Sequence, residues 1–370
     1  MKRYYKWVAF ALCFAAFILL GTEIVPLTDR AIVLGIGIDK NENGYVISAQ
    51  IVLPGDTESK SAENIVLTAK DKTISAALDA ISRDAGKIIS MSHCNVVVLG
   101  SGVIQHDAVN VLDYIIRNAY LSENAILLAT AGKAEEILKA KPAFSDMSSL
   151  YLQNVLTNFG YYPVRNKRNV KEFLVSYNTE TAGNWLPSVR LKSTMAPESS
   201  ETGVGQSEEA FVFDFSETAV FSGGNYVLKL DEKGTRGINY VESELKEGSL
   251  TVFDGDKAYN FFIVDSSCKK KFNRDMTAEF TVKAELSLKE ILSPSGVNVQ
   301  IENAEPGEKI NLLIAEEIEE AVLLAYESCK KAGADVFNLY DGFYGIYGAE
   351  WKDEYFRNAV LNVKTELKFV

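Results

Sequence analysis

Histidine is almost missing from this chain: 370 residues hold two, His93 and His106. That leaves little room for imidazole-based proton transfer, for nucleophile activation, or for a His-rich metal centre. Cysteine is scarce as well. Cys13 lies inside an apolar stretch, and Cys94, Cys268 and Cys329 are an odd, widely spaced remainder. They make no disulfide framework; at most one pair could form, and three small buried residues are expected instead. Basic charge is in deficit, with 38 Lys and Arg against 50 Asp and Glu and a net charge of −12. A phosphate backbone needs a basic surface, so nucleic acid is not an expected partner, and a broad electrostatic hold on anionic lipid is disfavoured too. No P-loop, no Gly-x-Ser-x-Gly, no Cys/His set with zinc spacing and no acidic loop in calcium-binding order occurs. With 47% hydrophobic and 24% charged residues, the composition is that of a folded globular protein.

Long apolar runs are lacking too, except at the start. Lys2, Arg3 and Lys6 precede a charge-free run from Trp7 to Thr22. A basic flank before an apolar run is an export signal, which places everything after Glu23 on the far side of a membrane. The run is slightly short of the roughly 20 residues that span a bilayer. Tyr4, Tyr5 and Trp7 suit the headgroup level and extend it. Cleavage, lipidation and retention are the three possible fates. A small-x-small cleavage site is poorly formed, since Leu19 stands two before Gly21, and Cys13 has Leu12 before it. Residues 1–22 are therefore expected to be an uncleaved signal anchor.

The remainder is long enough for two or three domains. The region 23–191 reads as α/β in type, forming one domain or two. Ile32, Val33, Leu34, Ile36 and Ile38 make a mostly buried strand. Lys40 to Gly44 is turn chemistry, and Tyr45 to Leu53 returns as a hairpin partner. Thr73 is a plausible N-cap for a helix with Ile74, Ala77, Leu78 and Ile81 on one face. Asn95–Leu99 and Ala125–Thr130 are short apolar strands. Asp107–Asn118, Lys133–Leu138 and Asp146–Asn158 carry helical character, so helices are expected to cross over a sheet. Residues 192–209, rich in Ser, Gly and Glu, read as a linker. In 210–370 the period becomes two: Phe211–Phe215, Thr218–Phe221 and Tyr226–Leu230 are strands, as are Leu250–Phe253, Tyr259–Val264 and Ala278–Leu288. A long helix over 308–331 carries Ile314, Ile318, Ala321, Val322, Ala325 and Cys329 as its stripe. Gly333 ends it, and a strand of strict alternation closes the chain. The fold class is α+β, with several domains, mixed sheets and packed helices.

Each stretch that suggests chemistry has a plainer explanation. Gly35-x-Gly37 is not followed by a helix, so it marks close backbone approach in a sheet rather than a dinucleotide loop. Ser92-His93-Cys94 has the residue types of a nucleophile site, but neighbours entering a strand point to opposite faces. Asp254-Gly255-Asp256 is a hairpin tip. Glu316 and Glu320 lie on a solvated helix face, and Lys269-Lys270-Lys271 reads as a solvated loop. No catalytic residue, metal ligand or cofactor site is expected.

The order of the stretches carries more information than any of them singly. Arg30–Asp39, Ser92–Gly100, Arg117 through Leu127–Ala134, Thr218–Phe221, Thr235–Ile238 and Ala334–Phe337 leading to Trp351 occur in a sequence that resembles the GerC-type subunit of spore germinant receptors. The resemblance implies an extracytoplasmic lipoprotein-like protein of separate α+β domains, without enzymatic activity. It would sit at the inner spore membrane beside two multi-pass membrane subunits, of A and B type, and take part in spore germination. It marks Asp335, Phe337 and Trp351 as motif residues, possible points of partner contact. Two departures stand out. Asn338-Leu339-Tyr340 occupies a step that often carries glycines, and Thr22 stands where a lipidated cysteine is expected, so lipidation is not expected there. A solute-binding module remains the alternative reading, and it would need a concave site with converging polar groups.

Overall fold

The run Arg30–Asn41 (β1) is an interior strand of a large mixed sheet in the computed structural model of the chain. The structure describes residues 29–52, 64–117, 121–142, 145–158, 167–178, 183–193, 211–242, 245–294, 296–298, 306–348 and 358–370, with Trp7 and Phe10 besides. The expected anchor, with Thr22, lies outside the described residues, apart from those two. So do most of the expected linker and Trp351. Among the described residues no helix is long and apolar enough to cross a membrane.

The expected first hairpin is present. Gly44–Val52 (β2) returns antiparallel to β1, and Asn64–Asp71 (β3) adds outside it. Ile74–Ala85 (α1) starts where Thr73 accepts the Ala76 N–H at 3.2 Å, and ends at Gly86 in the left-handed region. Ile88–Ser90 (β4) and Val96–Leu99 (β5) both lie parallel to β1. Ser101–His106 (α2) comes first and ends at Asp107, whose backbone leaves the helical region, and the helix expected over 107–118 follows as Ala108–Arg117 (α3). Ile126–Ala129 (β6) follows, then Ala134–Lys139 (α4), Ser148–Asn158 (α5) and Val170–Asn178 (α6). Gly183–Ser193 (β7) lies parallel to β6, and Phe211–Ser222 (β8) and Asn225–Leu230 (β9) run antiparallel beyond it. The order is β3-β2-β1-β5-β6-β7-β8-β9, with β4 beside β1. Residues 194–210 thus join two neighbouring strands of one sheet. Val97, Leu99, Leu127 and Ala129 pack into the core on one face, and Val96, Val98, Ile126 and Leu128 into that on the other. Burial on both sides is why β5 and β6 read as continuous apolar runs.

The second domain begins with Glu232–Glu242 (α7). Gly248–Asp254 (β10), Lys257–Phe272 (β11) and Thr277–Ser293 (β12) then form an antiparallel sheet, to which Gly296–Asn298 (β13) adds. Lys269–Lys271 are therefore strand residues and not a loop. Glu308–Lys331 (α8) spans the range expected for the long helix, burying Ile310, Ile314, Ile318, Ala321, Val322, Ala325 and Cys329 on one stripe. Leu339–Tyr347 (α9) follows, and Val360–Phe369 (β14) inserts parallel to β12. Trp185, Val220 and Leu230 of the first sheet belong to the same apolar cluster as Ile238 of α7 and Phe261, Phe280 and Ile314 of the second domain. The protein is thus an α+β molecule of two domains with mixed sheets, and one core runs across the seam.

Candidate functional site

The motif residue Asp335 sits at that seam. At the end of α8 the Gly333 N–H bonds to the Lys330 carbonyl and the Ala334 N–H to the Cys329 carbonyl, with Gly333 at φ +72°. This closes the helix and turns the chain back. Gly333 and Asp335 then meet the paired ends of β7 and β8. The Gly183 N–H donates to the Asp335 carbonyl at 3.1 Å, and Ser222 Oγ donates to the Gly333 carbonyl at 2.8 Å. Gly183 and Ser222 are cross-strand partners, so both bonds fall at one place. Only glycine fits there, because a Cβ on Gly183 would lie 2.5 Å from the Asp335 nitrogen.

The Asp335 side chain turns the other way and is 3% exposed. Its carboxylate accepts the Leu339 N–H at 3.0 Å and the Tyr340 N–H at 2.7 Å, the first donors of α9. Burial pushes its pKa up to about 6; these bonds and the charge of Lys270 work against the rise. Asn338 stands at φ +57°. A glycine adopts that conformation freely and asparagine tolerates it, so the departure from the glycine-bearing pattern leaves a workable turn. Phe337 is 1% exposed, stacks on Tyr326 at 6.3 Å and meets Phe280 edge-on at 6.1 Å. Its carbonyl accepts Lys270 Nζ at 3.3 Å, and that ammonium also reaches Glu242. Asp335 and Phe337 are brought together, and both are directed inward.

The same device recurs in the first domain. Asp39, at the end of the glycine-spaced run, accepts the Ala134 N–H at 2.8 Å and the Glu135 N–H at 3.0 Å, capping α4 from a distant strand. Burial raises its pKa despite both bonds. Gly35 and Gly37 let α5 and α4 approach: a Cβ on Gly35 would lie 2.6 Å from Ser149 Cβ, and one on Gly37 3.1 Å from Ala134 Cβ. That is the close backbone approach expected for the pair. Asp39 is legible in the sequence within its stretch, but this bond is not, since the donors lie far along the chain.

The remaining polar groups serve the fold as well. Asp107 takes Lys40 Nζ at 3.1 Å together with hydrogen bonds from Tyr45 and Asn110. Burial opposes its ionisation, but these three partners hold its carboxyl below the usual range, while burial and Asp107 push the Tyr45 phenol up to about 12. Cys94 is fully buried, its thiol pushed up to about 12 by burial, whereas the adjacent His93 is exposed. They lie in the turn before β5, one on the solvent side and the other in the core, an arrangement that does not make a nucleophile pair. Lys233 bridges Glu317 and Glu320. No group of metal-ligating side chains occurs among the described residues. A groove of about 550 Å³ between α1 and β4 is lined by Asp29, Asp79, Ser82, Arg83, Lys87 and Ile88 and lies open to solvent.

Fold and site together define a two-domain α+β protein whose motif acids lock helices and a domain seam. Comparison with known proteins gives the family. The family description "Spore germination protein N-terminal domain" matches residues 23–191, and "Spore germination B3/ GerAC like, C-terminal" matches residues 216–369. The chain belongs to the GerAC/GerBC-like family of spore germination proteins. Among solved structures it is similar to one described as the crystal structure of the GerBC protein, with a TM-score of 0.54 and 15% identity, over 91% of this chain and 97% of that one. At that identity the likeness is one of fold. No curated protein matches.

Proposed function

We propose that this protein is a non-enzymatic, membrane-anchored subunit of a spore nutrient germinant receptor, working on the extracytoplasmic side by scaffolding or by coupling a signal through protein contacts. The observation that carries the reading is the use made of its motif residues. Asp39 and Asp335 hold their carboxylates on helix N-termini, inside the fold, at distances of 2.7–3.0 Å, and neither faces a cleft where a substrate could sit. Family membership supports the rest of the reading, in which the partners are the A- and B-type multi-pass subunits and the place is the inner spore membrane. The apolar run Trp7–Thr22 is then the retained anchor, with Thr22 in place of a lipidated cysteine. Affinity capture of the tagged protein from spore membranes should recover both multi-pass subunits; recovery of neither contradicts the proposal. Mass spectrometry of the purified protein should find the chain starting at its N-terminal Met region. A mature form beginning near Thr22 would remove the anchor from the proposal and leave the receptor role standing.

The solute-binding alternative has less support, because the groove beside α1 is open rather than enclosing. Calorimetry with amino acids and sugars should give no heat with this protein alone.

A further inference from the structure

The last strand offers a free edge of unusual regularity. β14 pairs with β12 through ten consecutive partners, from Thr277↔Val360 to Leu286↔Phe369, without a register shift. Among the described residues nothing pairs with its other side. The direction of its backbone groups follows from its two ends. The Val360 N–H donates to the Met276 carbonyl and the Val370 N–H to the Leu286 carbonyl, so even-numbered residues turn their peptide groups toward β12. The odd-numbered ones, Leu361, Val363, Thr365, Leu367 and Phe369, turn theirs outward. The usual protections of a free edge are missing: β14 has no proline, no glycine and no bulge. It does carry charges, but they alternate in sign. Lys364, Glu366 and Lys368 project from the solvated face, each exposed, with Glu366 2.5 Å from Lys283 and Lys368 2.7 Å from Glu285.

We propose that β14 pairs antiparallel with β14 of a second copy of this chain, about a two-fold axis at Thr365. The backbone restricts the choice first. Outward peptide groups sit on odd residues, so only registers that set odd against odd can form a ladder. Overlap and side chains then select one of them: an axis at Leu367 also pairs Glu366 with Lys368, but it leaves the outward groups of Leu361 and Val363 without a facing strand. An axis at Thr365 sets Lys364 against Glu366 twice and Val363 against Leu367 twice. An axis at Lys364 sets that lysine against itself. An axis at Glu366 sets Glu366 against itself and Lys364 against Lys368. Opposite charges facing across a strand pair are favourable and like charges are not. In the chosen register Lys364 and Glu366 fall in the non-hydrogen-bonded pairs, where side chains approach more closely. The result is an isologous contact with on the order of ten backbone hydrogen bonds, and it continues the second sheet across both copies.

Sedimentation equilibrium of the full chain in a non-ionic detergent, at moderate salt, tests this. The wild type should be a dimer. Lys364→Glu and Glu366→Lys should each weaken association by about tenfold or more, since each turns two attractive pairs into two repulsive ones. The double variant, with the charges exchanged, should recover to within about threefold of wild type. Thr365→Pro removes an outward N–H without touching the ladder to β12, and it should leave folded monomers whose melting temperature no longer depends on protein concentration. A monomeric wild type, a dimer indifferent to all these variants, or a double variant as weak as the single ones overturns the proposal. So does a strand of another protein occupying β14 in material purified from spores.

Discussion

At the scale of single residues, two aspartates do work that their positions in the chain do not announce. Asp335 keeps a carboxylate in a site where it is 3% exposed, and its pKa stands at about 6 against an ordinary value near 3.8. A raised pKa means that the folded state holds this proton more tightly than the unfolded one does. Stability from this group is therefore greatest at low pH and declines as the pH rises from about 4 to about 6. The full span amounts to roughly 3 kcal/mol at most, by the usual conversion of pKa shift to free energy. Wild type should lose more stability between pH 4.5 and pH 7 than Asp335→Asn does, as read by urea unfolding; parallel curves would falsify the assignment. Asp335→Ala should cost about 1–3 kcal/mol at neutral pH, because two helix N–H groups lose their buried acceptor. Phe337 matters through packing alone, and its truncation to Ala should cost about 3–5 kcal/mol in the same assay.

At the scale of elements, glycine separates what composition can see from what packing decides. Gly237 lies in α7, where a Cβ would stand 2.1 Å from the Ala321 carbonyl oxygen of α8. Gly345 lies in α9 with nothing within 4 Å. Helix propensity alone predicts that alanine stabilises both positions by about 0.5–1 kcal/mol. The structure predicts opposite signs. Gly345→Ala should raise the melting temperature, and Gly237→Ala should lower it, since overpacking of this kind costs about 1–3 kcal/mol. The same contrast explains which elements were legible. β1, β2, β5, β6, α1, α8 and β14 carry clean periods or clean apolar runs, and they fall where the sequence places them. α7 and α9 are not legible in the sequence. Glu232–Glu242 holds two glycines and few apolar residues, and Leu339–Tyr347 holds two more glycines among its aromatics. Both helices are held by tertiary partners, Ala321 and Phe272 among them, that no local window contains. β7 was hidden by Pro187, which interrupts an otherwise ordinary strand. At the candidate site, Asp335 and Phe337 were legible as motif residues. Their inward direction was not, because it depends on where α9 begins.

At the scale of the molecule, the seam is fastened at few points but closely. The Gly183 N–H and the Ser222 hydroxyl hold Asp335 and Gly333, Thr218 and Thr235 share a buried hydrogen bond of 3.0 Å, and Trp185 is inserted into the core of the second domain. A fully buried tryptophan shared in this way couples the two domains energetically. Calorimetry of wild type should show a single cooperative transition. Gly183→Val, which drives a branched side chain into the Ala334–Asp335 backbone, should lower the transition and split it in two. Two transitions already present in wild type would show the seam to be weaker than its geometry implies.

The path of the first sheet bears on how such a chain can be recombined in evolution. Its last two strands, β8 and β9, come after residues 194–210, and the C-terminal family match begins at residue 216, inside β8. A crossover placed in that polar stretch would carry seven strands of the nine to a new host and leave two behind with the donor. β7 would arrive with a bare edge, and Trp185 without its pocket. Exchange of N-terminal halves between relatives therefore succeeds only when the recipient's own β8 and β9 fit the incoming β7. The shared sheet makes the two halves a matched pair, whatever their sequences suggest about where one ends.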